Sequence, residues 1–150
     1  MTYLFDTNIL VFYITSPEIL SDFERRYQPF SDRNVAMLSI VSIGEMKSIA
    51  IRRGWGRKKM EKLDELFQSF LRIPINTEKQ MSAYAEIDTY SLKKHPDHNW
   101  PQGYTSNKMG KNDLWIAATA YITRSTLVTH NGDFDHLNGK FFDVVKPELL

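Results

Sequence analysis

Short apolar segments recur along the chain and are separated by longer segments in which apolar residues follow helical spacing. The apolar segments have the length of buried strands and cover residues 2–6, 35–40, 72–75, 126–129 and 142–145. Helices are predicted for residues 8–14, 42–53, 57–70, 77–90 and 112–122, and another helix is predicted to begin at Ser16. Strands that alternate with helices predict a mainly parallel sheet covered by helices on both faces.

Local signals mark several of the predicted helix ends. Ser16 followed by Pro17 is typical of a helix start in which serine caps the first turn. Thr77, with Gln80 three positions later, predicts a capping box. The Gly54-Trp55-Gly56 sequence predicts a break between two successive helices.

Residues 93–111 have no periodic pattern. A segment of this length without regular structure is unusual inside a compact domain and is commonly functional or mobile. His95 and His98 have a spacing that a metal-binding pair could use, but Pro96 between them and the polar surroundings favour an ordinary surface loop.

The composition is that of one ordinary globular domain. The chain has 150 residues, of which 42% are hydrophobic and 25% charged, and it contains no cysteine. The absence of cysteine excludes disulfides and thiolate metal sites. No apolar run approaches the roughly 18 residues of a membrane span, and an acid already at position 6 argues against an export signal. We therefore expect a cytoplasmic protein with no membrane contact.

The formal net charge is only +1, but the basic residues are unevenly distributed. Residues 47–62 contain seven cations and a single acid, Glu61; the cations are Lys47, Arg52, Arg53, Arg57, Lys58, Lys59 and Lys62. Such a local basic surface attracts phosphates even on a nearly neutral protein. The alternative is a solvated helix face without a partner.

Four acids are predicted to meet at one edge of the sheet. Asp6 ends the first strand, Glu45 lies one turn into the helix after the second strand, and Asp113 begins a largely apolar helix. Asp133 follows the strand at 126–129. Ligands of open parallel sheets bind at the carboxyl ends of the strands. Carboxylates gathered there repel one another, and a bound hard divalent cation, Mg²⁺ or Mn²⁺, usually relieves this repulsion.

Each acid also has a structural alternative. Asp6 could cap the following helix, and Asp113 could be an N-cap as well. Glu45 sits among apolar residues, where it could form a structural ion pair. Asp133 could be a turn residue.

Taken together, four segments resemble the PIN-domain family and, within it, the VapC-type toxin ribonucleases. The segments are Leu4-Phe5-Asp6-Thr7-Asn8-Ile9-Leu10, Ser39-Ile40-Val41-Ser42-Ile43-Gly44-Glu45-Met46, Gly110-Lys111-Asn112-Asp113-Leu114-Trp115-Ile116-Ala117-Ala118 and Leu127-Val128-Thr129-His130-Asn131-Gly132-Asp133-Phe134. The resemblance implies one PIN-like domain over residues 1–150, folded as a three-layer α/β/α sandwich.

The resemblance also implies roles for individual residues. Asp6, Glu45 and Asp113 would bind the metal and act in catalysis, with Asp133 as the fourth acid. Supporting positions would be Thr7, Asn8, Ser42 and Asn131. Relatives often carry an acid at the position of Asn131, so the second metal position of the family is open in this chain.

The function implied by the resemblance is Mg²⁺- or Mn²⁺-dependent hydrolysis of RNA by the toxin of a toxin–antitoxin pair. A cognate antitoxin and a homodimer would be its protein partners, with the antitoxin contacting residues 42–70. Lys47, Arg52, Arg53, Arg57 and Lys58 would guide the RNA backbone.

Three further side chains have two readings each. Trp100 and Tyr104 could stack on RNA bases or hold their loop against the body of the domain. His130 could contact a phosphate or be an ordinary residue at a strand end.

Two other classes of function compete with the nuclease. A PIN-like module that binds RNA or a partner without catalysis is favoured only by Asn131. A phospho-acceptor receiver domain also gathers acids at the edge of a parallel sheet, but the adjacent acids and the lysine that it requires are absent from the sequence.

Overall fold

A computed structural model describes residues 1–100, 103 and 105–150 of the chain. Five parallel strands form one sheet with the order β3-β2-β1-β4-β5. The strands are β1 (Thr2–Phe5), β2 (Val35–Ser39), β3 (Leu71–Ile73), β4 (Thr126–Val128) and β5 (Val144–Val145). The helices are α1 (Thr7–Thr15), α2 (Ser21–Tyr27), α3 (Ile40–Arg52), α4 (Arg57–Gln68), α5 (Glu78–Ser91) and α6 (Lys111–Thr123).

Each face of the sheet is covered by its own hydrophobic cluster. Successive side chains of β1 point to opposite faces, so that Tyr3 and Phe5 join one cluster and Leu4 the other. The first cluster includes residues of α1, α3 and α4, and the second includes residues of α5 and α6. The predicted α/β sandwich with a parallel central sheet is therefore confirmed.

The structure corrects two predicted helix starts. Helix α3 was predicted to begin at Ser42 but begins at Ile40. The side chain of Ser39 caps this helix by accepting a hydrogen bond from the Val41 N–H (3.1 Å). The Ser16 hydroxyl makes no cap hydrogen bond; Pro17 opens a short 3-10 helix, Pro17–Leu20, ahead of α2. The capping box of Thr77 and Gln80 is confirmed at the start of α5.

The segment after β4 also differs from the prediction. Residues 130–135 follow the strand predicted at 126–129 and have no predicted helix, yet they lead into a 3-10 helix, Gly132–Leu137, whose first turn is capped by the side chain of Asn131. The last strand is shorter than predicted because only Val144–Val145 pair with β4. No helix in the described part of the chain has the length and apolarity needed to cross a membrane.

Candidate active site

Asp6 lies at the carboxyl end of β1, the central strand of the sheet, and only 4% of it is exposed. Its Oδ1 accepts the Thr7 N–H (2.8 Å), which makes it the N-cap of α1. Its Oδ2 accepts hydrogen bonds from the Thr129 hydroxyl (2.7 Å) and the Asn8 amide (3.3 Å). The capping reading of Asp6 is correct, and it leaves the carboxylate at the edge where the other acids collect.

Thr129 is a supporting residue that the sequence pattern did not predict. It is fully buried, and besides donating to Asp6 its hydroxyl accepts the Asn131 N–H (2.9 Å) and the Asn8 amide (3.4 Å). These contacts use its one donor and both lone pairs. The position of Thr129 in the sheet explains its role. Strands β1 and β4 are neighbours, with Phe5 opposite Val128, so Asp6 and Thr129, which follow these residues, are adjacent.

Glu45 faces the same cleft from α3. The Thr7 hydroxyl donates to Glu45 Oε1 (2.8 Å) and lies 3.1 Å from the buried Ser42 hydroxyl. Thr7 and Ser42 therefore support Glu45 through one chain of hydroxyl groups. In the described part of the chain Glu45 has no salt-bridge partner, which disfavours the structural ion pair.

Asp113 is not the N-cap of α6, because that position belongs to Gly110. It lies in the first helical turn, where the helix dipole favours a negative charge, and Asn131 Nδ2 donates to its Oδ2 (3.3 Å). Burial, and then the charges of Asp6, Glu45 and Asp133, nevertheless raise the pKa of Asp113 to about 6.

Asp133 is exposed and does not line the cleft, although its charge acts on Asp113. Its backbone is held on both sides: its N–H donates to Asn131 Oδ1 (3.0 Å), and its carbonyl accepts the Asn107 amide (3.0 Å). The structure therefore brings Asp133 to the margin of the site.

The acids open into a cleft of about 450 Å³. Its polar lining includes Asp6, Glu45, Asp113 and Asn131, and its basic side chain is Arg53. One wall is apolar and is formed by Val11, Phe12 and Ile49. A charged substrate could enter such a cleft with its phosphate beside the acids and Arg53.

The donor set fits a hard divalent cation. All the side-chain donors are oxygens, and burial, together with the charge of Glu45, raises the pKa of Asp6 against the lowering effect of its hydrogen bonds. No three of the cleft acids bring one oxygen each within 4.8 Å of one another among the described residues. That spacing suits Mg²⁺, which commonly keeps several waters and takes only one or two carboxylates.

The predicted RNA-guiding cations differ in position. Arg53 lines the acidic cleft, and Arg52 borders a neighbouring groove beside Glu45 and Ile49. Lys47 and Lys58 are exposed, whereas Arg57 forms an ion pair with Glu61 (3.1 Å).

The structure distinguishes between the two readings for Trp100 and His130. Trp100 packs on Tyr90 and His136, with ring centroids 5.2 and 5.4 Å away, and so holds its loop against the body of the domain. Tyr104 lies outside the described residues. His130 Nε2 is buried and the ring meets Phe12 edge-on, which favours the strand-end reading over a phosphate contact.

The fold and the cleft together define an open parallel-sheet α/β protein with an acidic site at the carboxyl edge of its strands. The PIN domain family model matches residues 3–140, and the chain belongs to this family. No curated protein matches the sequence.

Several solved structures share the fold. One is VapBC2 from Rickettsia felis bound to a promoter DNA fragment, with 23% identity, 97% of this chain and 98% of that chain covered, and a TM-score of 0.76. A second is VapBC-1 from nontypeable Haemophilus influenzae (22%, 97% and 98%, 0.69). A third is a toxin–antitoxin complex from Klebsiella pneumoniae (20%, 97% and 97%, 0.66). At these identities the likeness establishes the fold.

Proposed function

We propose that this protein is a Mg²⁺- or Mn²⁺-dependent endoribonuclease that hydrolyses RNA phosphodiesters. The observation that carries the proposal is the convergence of Asp6, Glu45 and Asp113 on one open cleft, where burial, and then the charges of the other acids, raise the pKa of Asp113 to about 6. Unrelieved repulsion between carboxylates is costly, and a divalent cation relieves it.

Asp6, Glu45 and Asp113 would hold the cation, one or two of them directly and the rest through its water ligands, with Asp133 contributing charge from the margin. A bound cation of this kind lowers the pKa of water and neutralises charge on a phosphate. Neutral donors from Thr7, Thr129 and Asn131 orient the three acids without cancelling their charge. Family resemblance implies products with a 5′-phosphate and a 3′-hydroxyl.

Arg53 is the cation that would contact the scissile region, since it lines the same cleft as the acids. The exposed Lys47, Arg52 and Lys58 would guide the RNA on either side. Arg57 would contribute less because Glu61 already pairs with it. Contacts of this kind read the phosphate backbone, so they carry little sequence preference.

We further propose that the protein acts in the cytoplasm as the toxin of a toxin–antitoxin pair and forms a homodimer. The fold is shared with chains of VapBC complexes, and α3 exposes Ile40 (44%) and Ile51 (80%) beside the basic side chains. An apolar and basic surface of this kind suits an antitoxin segment with apolar and acidic residues.

The direct test incubates the purified protein with total RNA in Mg²⁺ or in EDTA and maps the ends that form. Asp6→Asn should abolish cleavage and keep the fold, since asparagine also caps helices well. Asp32→Asn is the matched control, because this exposed acid precedes β2 at the opposite edge of the sheet. Cleavage that survives in EDTA or in Asp6→Asn would refute the proposal.

Asn131 supports one alternative, a PIN-like module that binds RNA or a partner without catalysis. The Asn131 amide donates to Asp113. Relatives often have an acid at the position of Asn131. Calorimetry with Mg²⁺ separates the two functions. An ion-binding enzyme gives a signal that Asp6→Asn removes, whereas a silent module gives none in either protein.

A further inference from the structure

A second group of metal-ligating side chains lies outside the acidic cleft. One ligand atom each from Glu86, His95 and His98 falls within 4.8 Å of the others. The two imidazole rings have centroids 4.3 Å apart and are inclined by 47°. In the described part of the chain this is the one trio of His, Asp or Glu that meets such a criterion. The sequence favoured a surface loop for the two histidines, and what it missed is the carboxylate that faces them.

We infer that Glu86, His95 and His98 form a binding site for a first-row transition-metal dication of the Zn²⁺ class. Two imidazoles and one carboxylate are the donor set that suits Zn²⁺, Co²⁺ or Ni²⁺, whereas the cleft offers oxygens alone. With metal–nitrogen bonds near 2.0–2.1 Å, tetrahedral ligands lie about 3.3 Å apart, so modest side-chain movement would close the trio.

The site would join α5 to the segment that follows it, where ring contacts such as that of His98 with Tyr90 already hold the two together. Glu86 lies on α5, whereas His95 and His98 lie in the segment that follows this helix. All three side chains are partly buried, which limits their freedom and leaves a path for an ion. A bound ion would therefore fasten the start of this loop to α5.

His98 is already oriented by its neighbours. Its ring meets the rings of Tyr90 and Phe141 edge-on, with centroids 6.3 and 5.8 Å apart. His95 Nδ1 accepts the Asp97 N–H (3.1 Å), so the neutral ring carries its proton on Nε2. Metal binding through Nδ1 would exchange this single hydrogen bond for a coordinate bond without a change of tautomer.

The loop connects the proposed site to the acidic cleft. At its far end Asn107 donates to the carbonyl of Asp133, and Met109 Sδ accepts the Ser91 hydroxyl (3.4 Å) before α6 begins. An ion held by Glu86, His95 and His98 would thus restrain the start of the segment that leads to Asp113. The proposed ion is structural and takes no part in hydrolysis.

The test is Zn²⁺ calorimetry in saturating Mg²⁺ on the Asp6→Asn protein, in which the acidic cleft is impaired. We expect one Zn²⁺ per chain. Loss of a residue that only supports a metal ligand typically lowers metal affinity roughly 10- to 100-fold. We expect a larger loss of Zn²⁺ affinity from each of three substitutions, His95→Gln, His98→Gln and Glu86→Gln. His130→Gln is the matched control and should leave binding unchanged. Unaltered Zn²⁺ stoichiometry and affinity in both His95→Gln and His98→Gln would overturn the proposal.

A second readout does not depend on affinity. Zn²⁺ should shift the NMR signals of the His95 and His98 rings and leave those of His130 and His136 in place. It should also slow tryptic cleavage after Lys93 and Lys94 in the wild type but not in His95→Gln. Thermal melting in EDTA checks that each variant is folded. Shifts confined to residues of the acidic cleft would contradict the proposed site.

Discussion

Thr7, Thr129 and Asn131 each donate a hydrogen bond to one of the three cleft acids. These donors are neutral, so they fix the direction of a carboxylate and leave its charge in place. A lysine or arginine in the same position would satisfy the acid and remove the reason to bind a cation. At the residue scale, the site is therefore built to remain negative.

Thr129→Val tests this arrangement because valine has nearly the same shape and lacks the hydroxyl. Asp6 loses its shortest hydrogen bond, and Mg²⁺ affinity should fall about 10- to 100-fold, as expected for a lost supporting contact. Calorimetry measures the change. Thr126→Val, at the other end of β4, is the control, and equal losses in both variants would show that Thr129 has no special role.

Asp113→Asn should stabilise the metal-free protein. The pKa of Asp113 lies at about 6, above its usual value of 3.8, so the folded protein binds more protons and loses stability as the pH rises through that window. At neutral pH the penalty is fully present, and its removal is worth about 1 kcal/mol after allowance for partial exposure. Urea denaturation in EDTA at pH 7 measures it.

Mg²⁺ should reverse the order of stability. It stabilises the wild type by binding to the folded state, whereas Asp113→Asn gains less. A variant that is less stable than the wild type in EDTA would contradict the repulsion described for the cleft.

His136 gives the opposite pH dependence. It is 5% exposed, and its Nε2 lies 2.7 Å from the Ser91 hydroxyl. Burial lowers the pKa of His136 below its ordinary 6.5, against the raising effect of Asp133 and Asp135. The unfolded chain therefore takes up a proton first, and stability falls as the pH drops below about 6.5.

His136→Asn should flatten that fall. Urea denaturation at pH 7.5 and 5.5 compares the two proteins, and the difference between their slopes isolates this group. Identical slopes would mean that His136 does not titrate differently in the folded and unfolded states.

At the element scale, one cap positions the helix that carries Glu45. The fully buried Ser39 both ends β2 and caps α3, so the strand, the cap and Glu45 form one continuous unit. An error in the first turn of α3 would therefore move Glu45 relative to Asp6.

Ser39→Ala should cost about 1–2 kcal/mol of unfolding free energy through loss of the cap. We also expect weaker Mg²⁺ binding, because Glu45 follows on the same helix. Chemical denaturation and calorimetry measure the two effects. Ser48→Ala on the exposed side of α3 is the control and should change stability by less than about 0.5 kcal/mol. Equal stability of the two variants would show that the Ser39 cap is unimportant.

The elements that could be predicted are those with their own local signals. The capping box of Thr77 and Gln80 and the apolar strand that ends at Asp6 needed no tertiary information. Prediction failed at one local cap, where the Asn131 side chain starts a 3-10 helix in a segment without helical periodicity. It also failed where a residue from another element decides the outcome. Thr129 reaches Asp6 from another strand, and Glu86 meets two histidines from a neighbouring helix.

At the scale of the whole molecule, the net charge of +1 provides little long-range attraction for RNA. Affinity must then come from the local cations beside the cleft. The double substitution Arg52→Gln with Arg53→Gln is made in the Asp6→Asn protein, which should bind RNA without cleaving it. For single-stranded RNA, the plot of the logarithm of the binding constant against the logarithm of the salt concentration should become less steep by about 1.4. Filter binding at several salt concentrations measures it.

Arg33→Gln with Lys140→Gln removes the same charge from exposed positions near the opposite edge of the sheet. This control should leave the slope unchanged. If both double variants lower it equally, RNA binding follows total charge and the basic surface beside the cleft has no special part.

The strand order β3-β2-β1-β4-β5 brings together residues that are far apart along the chain. Asp6 and Glu45 leave the ribosome early, whereas Asp113, Thr129 and Asn131 emerge much later, and β4 pairs directly with β1. At synthesis rates of roughly 5–20 residues per second, several seconds separate the first acid from its last partner. A nascent chain therefore carries no complete centre before Thr129 and Asn131 have emerged, and until then the proposed nuclease is no danger to its own messenger RNA.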